Sequence, residues 1–146
     1  MGETRCFVSG VFDLLHDGHK NILKWAKENY DICIIAITTD NHAKNYKRVP
    51  YEDQYKRRQN IIDLGLFDPN NFDWEEGDNH IDLYDKWNIT HLLHGDDWDI
   101  DVYLEHMGGK IEIEKRNIKV DIIPYTEGVS STKLLKEIGY IEYFFS

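Results

Sequence analysis

Gly10-Val11-Phe12-Asp13-Leu14-Leu15-His16-Asp17-Gly18-His19 decides how this chain is read. The apolar run Cys6-Phe7-Val8 before it has the character of a buried strand. Residues 18–30 after it predict a helix, with Ile22, Ala26 and Tyr30 on one face beside Leu23 and lysines opposite. The ten residues therefore sit at a strand-to-helix turn. Gly10 permits a close backbone approach there. His16 and His19 are three residues apart, a spacing that lets both imidazoles face one direction at a helix start. Free N–H groups and the positive end of the helix dipole face the same way, which suits a bound phosphate. Two surface histidines beside a helix start would give the same short pattern. As a metal pair, the two lack an obvious third ligand.

The same alternation continues outward. Ile32–Ile37 is a continuous apolar run suited to a strand covered on both faces. Pro50 precedes a predicted helix over about 51–64, with Glu52 and Asp53 in its first turn and Gly65 at its end. Phe72-Asp73-Trp74 reads as a weak third strand and 80–88 as a short helix. His91–His94 and Val120–Ile123 read as later strands, and a last helix follows Ser130 to near Gly139. Between 99 and 117 only a turn at Met107-Gly108-Gly109 stands out. Strands and helices in alternation predict an α/β fold with a parallel sheet.

Bulk properties narrow the function. The 146 residues fit one domain, 1–146, and 41% apolar with 13% aromatic residues supports a folded core. No apolar run is long enough to span a membrane, and the first residues lack a signal-peptide stretch. Cys6 and Cys33 lie in strand-like runs, as expected of reduced core residues in a cytoplasmic protein. A formal net charge of −10 argues against a nucleic-acid partner. An anionic substrate then needs a local positive site. Lys44, Lys47, Arg48, Lys56, Arg57 and Arg58 form the densest basic stretch, and a loop carrying lysines after the second strand would close over phosphates. Read alone, such a stretch is also what a solvated face looks like.

The segment Gly10–His19 resembles the Gly-x-Phe-Asp-x-x-His-x-Gly-His signature of the cytidylyltransferase-like nucleotidyltransferase superfamily. His94-Gly95-Asp96-Asp97-Trp98 and Tyr125-Thr126-Glu127-Gly128-Val129-Ser130-Ser131-Thr132 resemble segments of its glycerol-3-phosphate cytidylyltransferase branch. The resemblance runs from about residue 6 to 138. It implies a doubly wound, Rossmann-like five-stranded parallel sheet of order 3-2-1-4-5 with helices on both faces, which puts the first and fourth strands side by side at a switch point.

It further implies transfer of CMP from CTP to a small phosphomonoester, with Mg²⁺ accompanying the triphosphate and a homodimeric assembly. His16, His19, Lys44, Lys47 and Arg57 would carry catalysis. Nucleotide contacts would come from Ser9, Gly10, Val11, Phe12, Asp13, Gly18 and Arg48, from Gly95, Asp96, Asp97 and Trp98, and from Thr126, Gly128, Val129, Ser130, Ser131 and Thr132. Asp13, Asp40 and Tyr125 would lie on the substrate side, and no residue set forms a dedicated metal cage.

Four departures from the branch stand out. Val11 replaces a threonine, Tyr125 replaces an arginine, Tyr46 and Arg48 align with two lysines, and the stretch from Trp98 to Val120 is longer. They leave the acceptor open among glycerol 3-phosphate, other polyol or amino-alcohol phosphates and phosphonates. An ATP-dependent adenylyltransferase of the same superfamily and a non-catalytic nucleotide-binding module are the competing readings.

Overall fold

The computed structural model describes residues 2–96 and 99–124. Five strands, β1 (Arg5–Gly10), β2 (Ile32–Thr38), β3 (Phe72–Glu75), β4 (His91–Gly95) and β5 (Lys119–Ile123), form one sheet. All pairings are parallel, in the order β3-β2-β1-β4-β5. The doubly wound fold and its strand order are therefore as expected.

Side chains alternate across the sheet and divide the core in two. Cys6, Val8, Ile35, Ile37 and Leu93 face one side, where they meet Leu23 and Ala26 of α1 (Asp17–Asn29) and Ile61 of α3 (Gln54–Ile62). Phe7, Ile34, Ala36 and Leu92 face the other. They meet Leu83 and Tyr84 of α4 (His80–Trp87), Tyr103 of α5 (Ile100–His106) and Ile113 of α6 (Lys110–Lys115). Each fully buried Ile or Leu contributes roughly 1.5–3 kcal/mol, so both faces stabilise the sheet that positions the loops above it. Cys6 and Cys33 are register partners, both buried and both free thiols. Burial raises the pKa of Cys33 to about 11 and pushes Cys6 higher, so neither is a reactive thiolate.

Three local readings change. The segment after β2 is a helix, α2 (Asp40–Tyr46), rather than a loop: Thr39 Oγ1 caps it by accepting from His42 N, and Ala43 is fully buried. α3 is shorter than 51–64. Asp53 is its N-cap, accepting from Lys56 N at 2.8 Å, and Glu52 lies before it. The region 99–117 holds two short helices, α5 and α6, joined at Met107–Gly109, where Gly108 and Gly109 have φ of 107° and 95°. Among the described residues no helix is long and apolar enough to cross a membrane. The predicted helix after Ser130 and residues 140–146 lie outside the described residues.

Candidate functional site

The motif loop leaves β1 at Gly10 and folds tightly. Phe12 and Leu14 have φ of 54° and 52°, a left-handed conformation uncommon for such residues. Surrounding contacts hold it there. The Phe12 ring packs edge-on against His19 at 5.4 Å between centroids. Gly10 lies beneath that ring, and a Cβ there would sit 3.3 Å from it. Leu14 N donates to Glu52 Oε1 at 2.9 Å, and Asn60 Nδ2 in turn donates to both Glu52 oxygens at 3.2 Å. Sequence reading missed Glu52 and Asn60 as supports because their partner is a backbone amide distant in sequence.

His16 is the N-cap of α1. Its Nδ1 accepts from Gly18 N at 3.1 Å and His19 N at 3.4 Å, while His19 Nδ1 accepts from His16 N at 3.3 Å. This is a capping box built from two histidines. The rings stack, with centroids 3.7 Å apart and 18° between planes. Burial first, then the Lys47 charge, lowers the His16 pKa to about 4, although Asp17 opposes the shift. Burial, His16, Lys47 and Arg48 hold His19 well below its ordinary value. Both imidazoles are neutral near pH 7. Since each Nδ1 accepts, each ring proton is assigned to Nε2. His16 Nε2 is buried with no hydrogen-bond partner among the described residues. A buried donor of this kind beside a helix N-terminus is suited to an anionic oxygen.

The basic segment meets this motif. Lys47, the C-cap of α2, is close enough for its charge to depress both histidines. Arg48 is buried, and its Nη2 donates to Asp13 Oδ2 at 3.2 Å. The same carboxylate accepts from Tyr51 N at 2.8 Å and Glu52 N at 3.0 Å. Asp13 thus anchors the 48–52 segment against the motif loop. Lys44 lies farther along, on an open depression of about 590 Å³ shared with Asp40, Val49, Tyr51 and Gln54.

Arg57, expected to carry catalysis, lies among backbone carbonyls behind the motif loop. It is fully buried. Nη1 donates to Val11 O and Thr38 O at 2.7 Å each, Nε to Glu52 O at 3.0 Å, and Nη2 to Asp40 Oδ1 at 2.7 Å. Carbonyls at the ends of β1 and β2 need donors, and a guanidinium supplies several in one plane. Asp40 also exchanges bonds with Gln54: its Oδ2 accepts from Gln54 N at 3.2 Å, and its N donates to Gln54 Oε1 at 2.9 Å.

Other expected residues divide between the two sides of the site. Gly18 is buried within the capping box, and the Val11 side chain is buried. Ser9 Oγ donates to Met107 Sδ at 3.7 Å, toward α5. Gly95 ends β4, and Asp96 is exposed just beyond it. Because β1 and β4 pair directly, Cys6 with His91 and Phe7 with Leu92, the motif loop and the Gly95–Asp96 turn rise from adjacent strand ends. Asp97, Trp98, Tyr125, Thr126, Gly128, Val129, Ser130, Ser131 and Thr132 lie outside the described residues.

Known proteins are similar to this chain in sequence and fold. The family model described as Cytidylyltransferase-like matches residues 7–137. A glycerol-3-phosphate cytidylyltransferase of Bacillus subtilis (strain 168) is 33% identical, over 89% of this chain and 93% of its own length. An ethanolamine-phosphate cytidylyltransferase of Dictyostelium discoideum is 30% identical over 90% of this chain and 35% of its own length. Among solved structures, a lipopolysaccharide core biosynthesis protein from Thermoplasma volcanium GSS1 superposes with a TM-score of 0.66. It covers 86% of this chain and 98% of its own, at 24% identity, which speaks for the fold. With stacked histidines at the β1–β4 switch point and a match over residues 7–137, this chain belongs to the cytidylyltransferase-like family and is a nucleotidyltransferase.

Proposed function

We propose that the chain transfers CMP from CTP to a small phosphomonoester, glycerol 3-phosphate or a related polyol or amino-alcohol phosphate. A phosphate oxygen of the acceptor attacks the α-phosphorus of CTP in line. The bond from that phosphorus to the α–β bridging oxygen breaks, and pyrophosphate leaves with the electron pair. No covalent enzyme nucleophile is needed, so positioning and charge stabilisation carry the step. The observation that supports this most is the His16–His19 pair, whose Nε2–H donors lie at the start of α1. They would bind the α-phosphate and the departing oxygen, as preorganised donors do elsewhere.

Lys44 and Lys47 would bind the β- and γ-phosphates, with Arg48 fixed by Asp13 behind them. Arg57 and Asp40 would hold Val11 and the start of α2 in place. Asp96 with Asp97 and Trp98 would meet the nucleoside, and Tyr125 through Thr132 would close the phosphate side. Mg²⁺ enters as the companion of the triphosphate. Asp13 accepts N–H bonds from Arg48, Tyr51 and Glu52 and is 1% exposed, so its carboxylate serves to hold the 48–52 segment.

Two buried free thiols suit a reducing compartment such as the cytoplasm, and family likeness favours a homodimer. Analytical ultracentrifugation tests the latter, a monomer counting against it. The activity is tested by a matrix of four nucleoside triphosphates against glycerol 3-phosphate, phosphocholine, phosphoethanolamine, polyol phosphates and phosphonates. Pyrophosphate and product mass are read. CTP-dependent product with a phosphomonoester is expected; product with ATP alone overturns the nucleotide, and product with phosphonates alone overturns the acceptor class.

A further inference from the structure

A second group of chemistry-bearing side chains lies away from the paired histidines, on the α4/α5 side of the sheet. Glu75 closes β3 and is 1% exposed. Its Oε2 accepts from Thr38 Oγ1 at 2.5 Å, which fixes the carboxylate and leaves Oε1 facing the His42 and His80 imidazoles. His42 Nε2, from α2, is 3.2 Å from Oε1, and His80 Nε2, from the start of α4, is 3.0 Å from it. His106 ends α5 and stacks parallel to His42, at 5.8 Å between centroids and 12° between planes. One ligand atom each from His42, Glu75 and His106 lies within 4.8 Å of the others. Gly77 makes room for this convergence: its φ is 94°, and a Cβ there would be 2.5 Å from the His42 ring.

We infer that His42, Glu75 and His106 form a binding site for a zinc-class divalent cation. Two imidazoles and one carboxylate are a donor set that Zn²⁺, Co²⁺ and Ni²⁺ favour over Mg²⁺ or Ca²⁺. Bonds of 2.0–2.1 Å in a tetrahedron put ligand atoms about 3.3 Å apart. The His42–Glu75 separation already matches, and side-chain rotation on the half-buried His106 closes the rest. Three protein ligands leave a fourth position for water. Thr38 holds the carboxylate through Oε2 and His80 Nε2 lies 3.0 Å from Oε1, the kind of outer support that orients metal ligands. The cation would join α2, β3 and α5, which lie far apart in sequence. α2 runs on to Lys47 and Arg48, so the same ion would fix the helix that delivers the basic segment to the other site.

The test uses the full chain freed of metal with a chelator, then dialysed. Calorimetric titration with ZnCl₂, without nucleotide, is expected to give one site per chain. Co²⁺ is expected to give the intense visible bands of a tetrahedral ion, bleached by added Zn²⁺. His106→Gln, at the half-buried end of α5, and His42→Ala are each expected to weaken binding tenfold or more. His91→Asn, outside the cluster, is expected to leave binding unchanged. Circular dichroism checks that each variant folds; if His42→Ala does not, His106→Gln and the wild-type cobalt spectrum still decide. Binding far from one equivalent, an octahedral cobalt spectrum, or full affinity in folded His106→Gln overturns the inference.

Discussion

His16 and His19 each accept, at Nδ1, a hydrogen bond from the other's backbone amide, at 3.4 and 3.3 Å respectively. Catalytic geometry and helix capping are therefore one device. The caps fix the tautomer, and the tautomer aims the Nε2–H groups. Substitution can separate the two roles, because asparagine is also a good N-cap but carries no group at the Nε2 position. His16→Asn is expected to keep the melting temperature within a few degrees while lowering turnover by about 10²–10³-fold. His16→Ala is expected to lose the same turnover and roughly 1 kcal/mol of stability as well. Pyrophosphate release and thermal unfolding measure the two effects. Near-wild-type release by His16→Ala would remove the histidine from the mechanism.

The low pKa of His16 makes a statement about stability and pH. In the unfolded chain a histidine titrates near 6.5. In the folded chain burial and Lys47 bring His16 to about 4, and His19 is lowered too. Between these values the unfolded chain binds more protons, so stability is full above about pH 6.5 and falls as pH drops toward 4. One such group changes stability by up to about 1.4 kcal/mol per pH unit. Urea unfolding at pH 7 and pH 5 is expected to show the loss, and His16→Asn is expected to reduce it, with His19 and the half-buried His106, also lowered, carrying the rest. An unchanged slope in that variant would assign the effect to other groups.

Signals that are local and repeated survive in the sequence. Short runs of consecutive apolar residues mark β1, β2 and β4, and a 3.6-residue stripe marks α1. α2 was hidden because Asp40–Tyr46 is short and polar, with Ala43 fully buried and a threonine cap in front. α5 and α6 span seven and six residues and bury one side chain each, Tyr103 and Ile113, too little to show a period. The surroundings of Arg57 are not legible for a different reason. Within a basic stretch it resembles its neighbours, and only the folded chain brings Val11 O, Thr38 O and Glu52 O around it. The convergence of His42, His106 and Glu75 is likewise invisible until β3 lies beside β2.

Arg57 acts through the residues it holds. Removing the guanidinium leaves two strand-end carbonyls and the Asp40 contact without their donor. Arg57→Ala is expected to cost roughly 2–4 kcal/mol, because the Val11 and Thr38 carbonyls lose a charge-assisted donor while Asp40, 44% exposed, can turn to water. Arg57→Lys cannot span three carbonyls and a carboxylate from one ammonium, and is expected to recover only part of that. Urea unfolding reads the cost, and turnover per folded molecule reads the effect on the motif loop. A variant with wild-type stability and a raised KM for CTP alone would instead place Arg57 at the triphosphate.

Lys47 joins the basic segment to the histidines, so its removal has two separable readouts. Its charge is the second cause, after burial, of the low His16 pKa, and it also lowers His19. In Lys47→Ala the His16 titration, followed by the imidazole Cε1–H resonance, is expected to move up from about 4 while staying below 6.5, because burial remains. If Lys47 also binds the triphosphate, the same variant is expected to raise the KM for CTP by about tenfold, consistent with loss of one charged contact of roughly 1.5 kcal/mol. Wild-type KM values between 50 and 200 mM salt are expected to rise with salt, and the variant's less steeply. A moved titration with an unchanged KM would keep Lys47 beside the histidines but take it off the nucleotide. An unmoved titration would separate it from both.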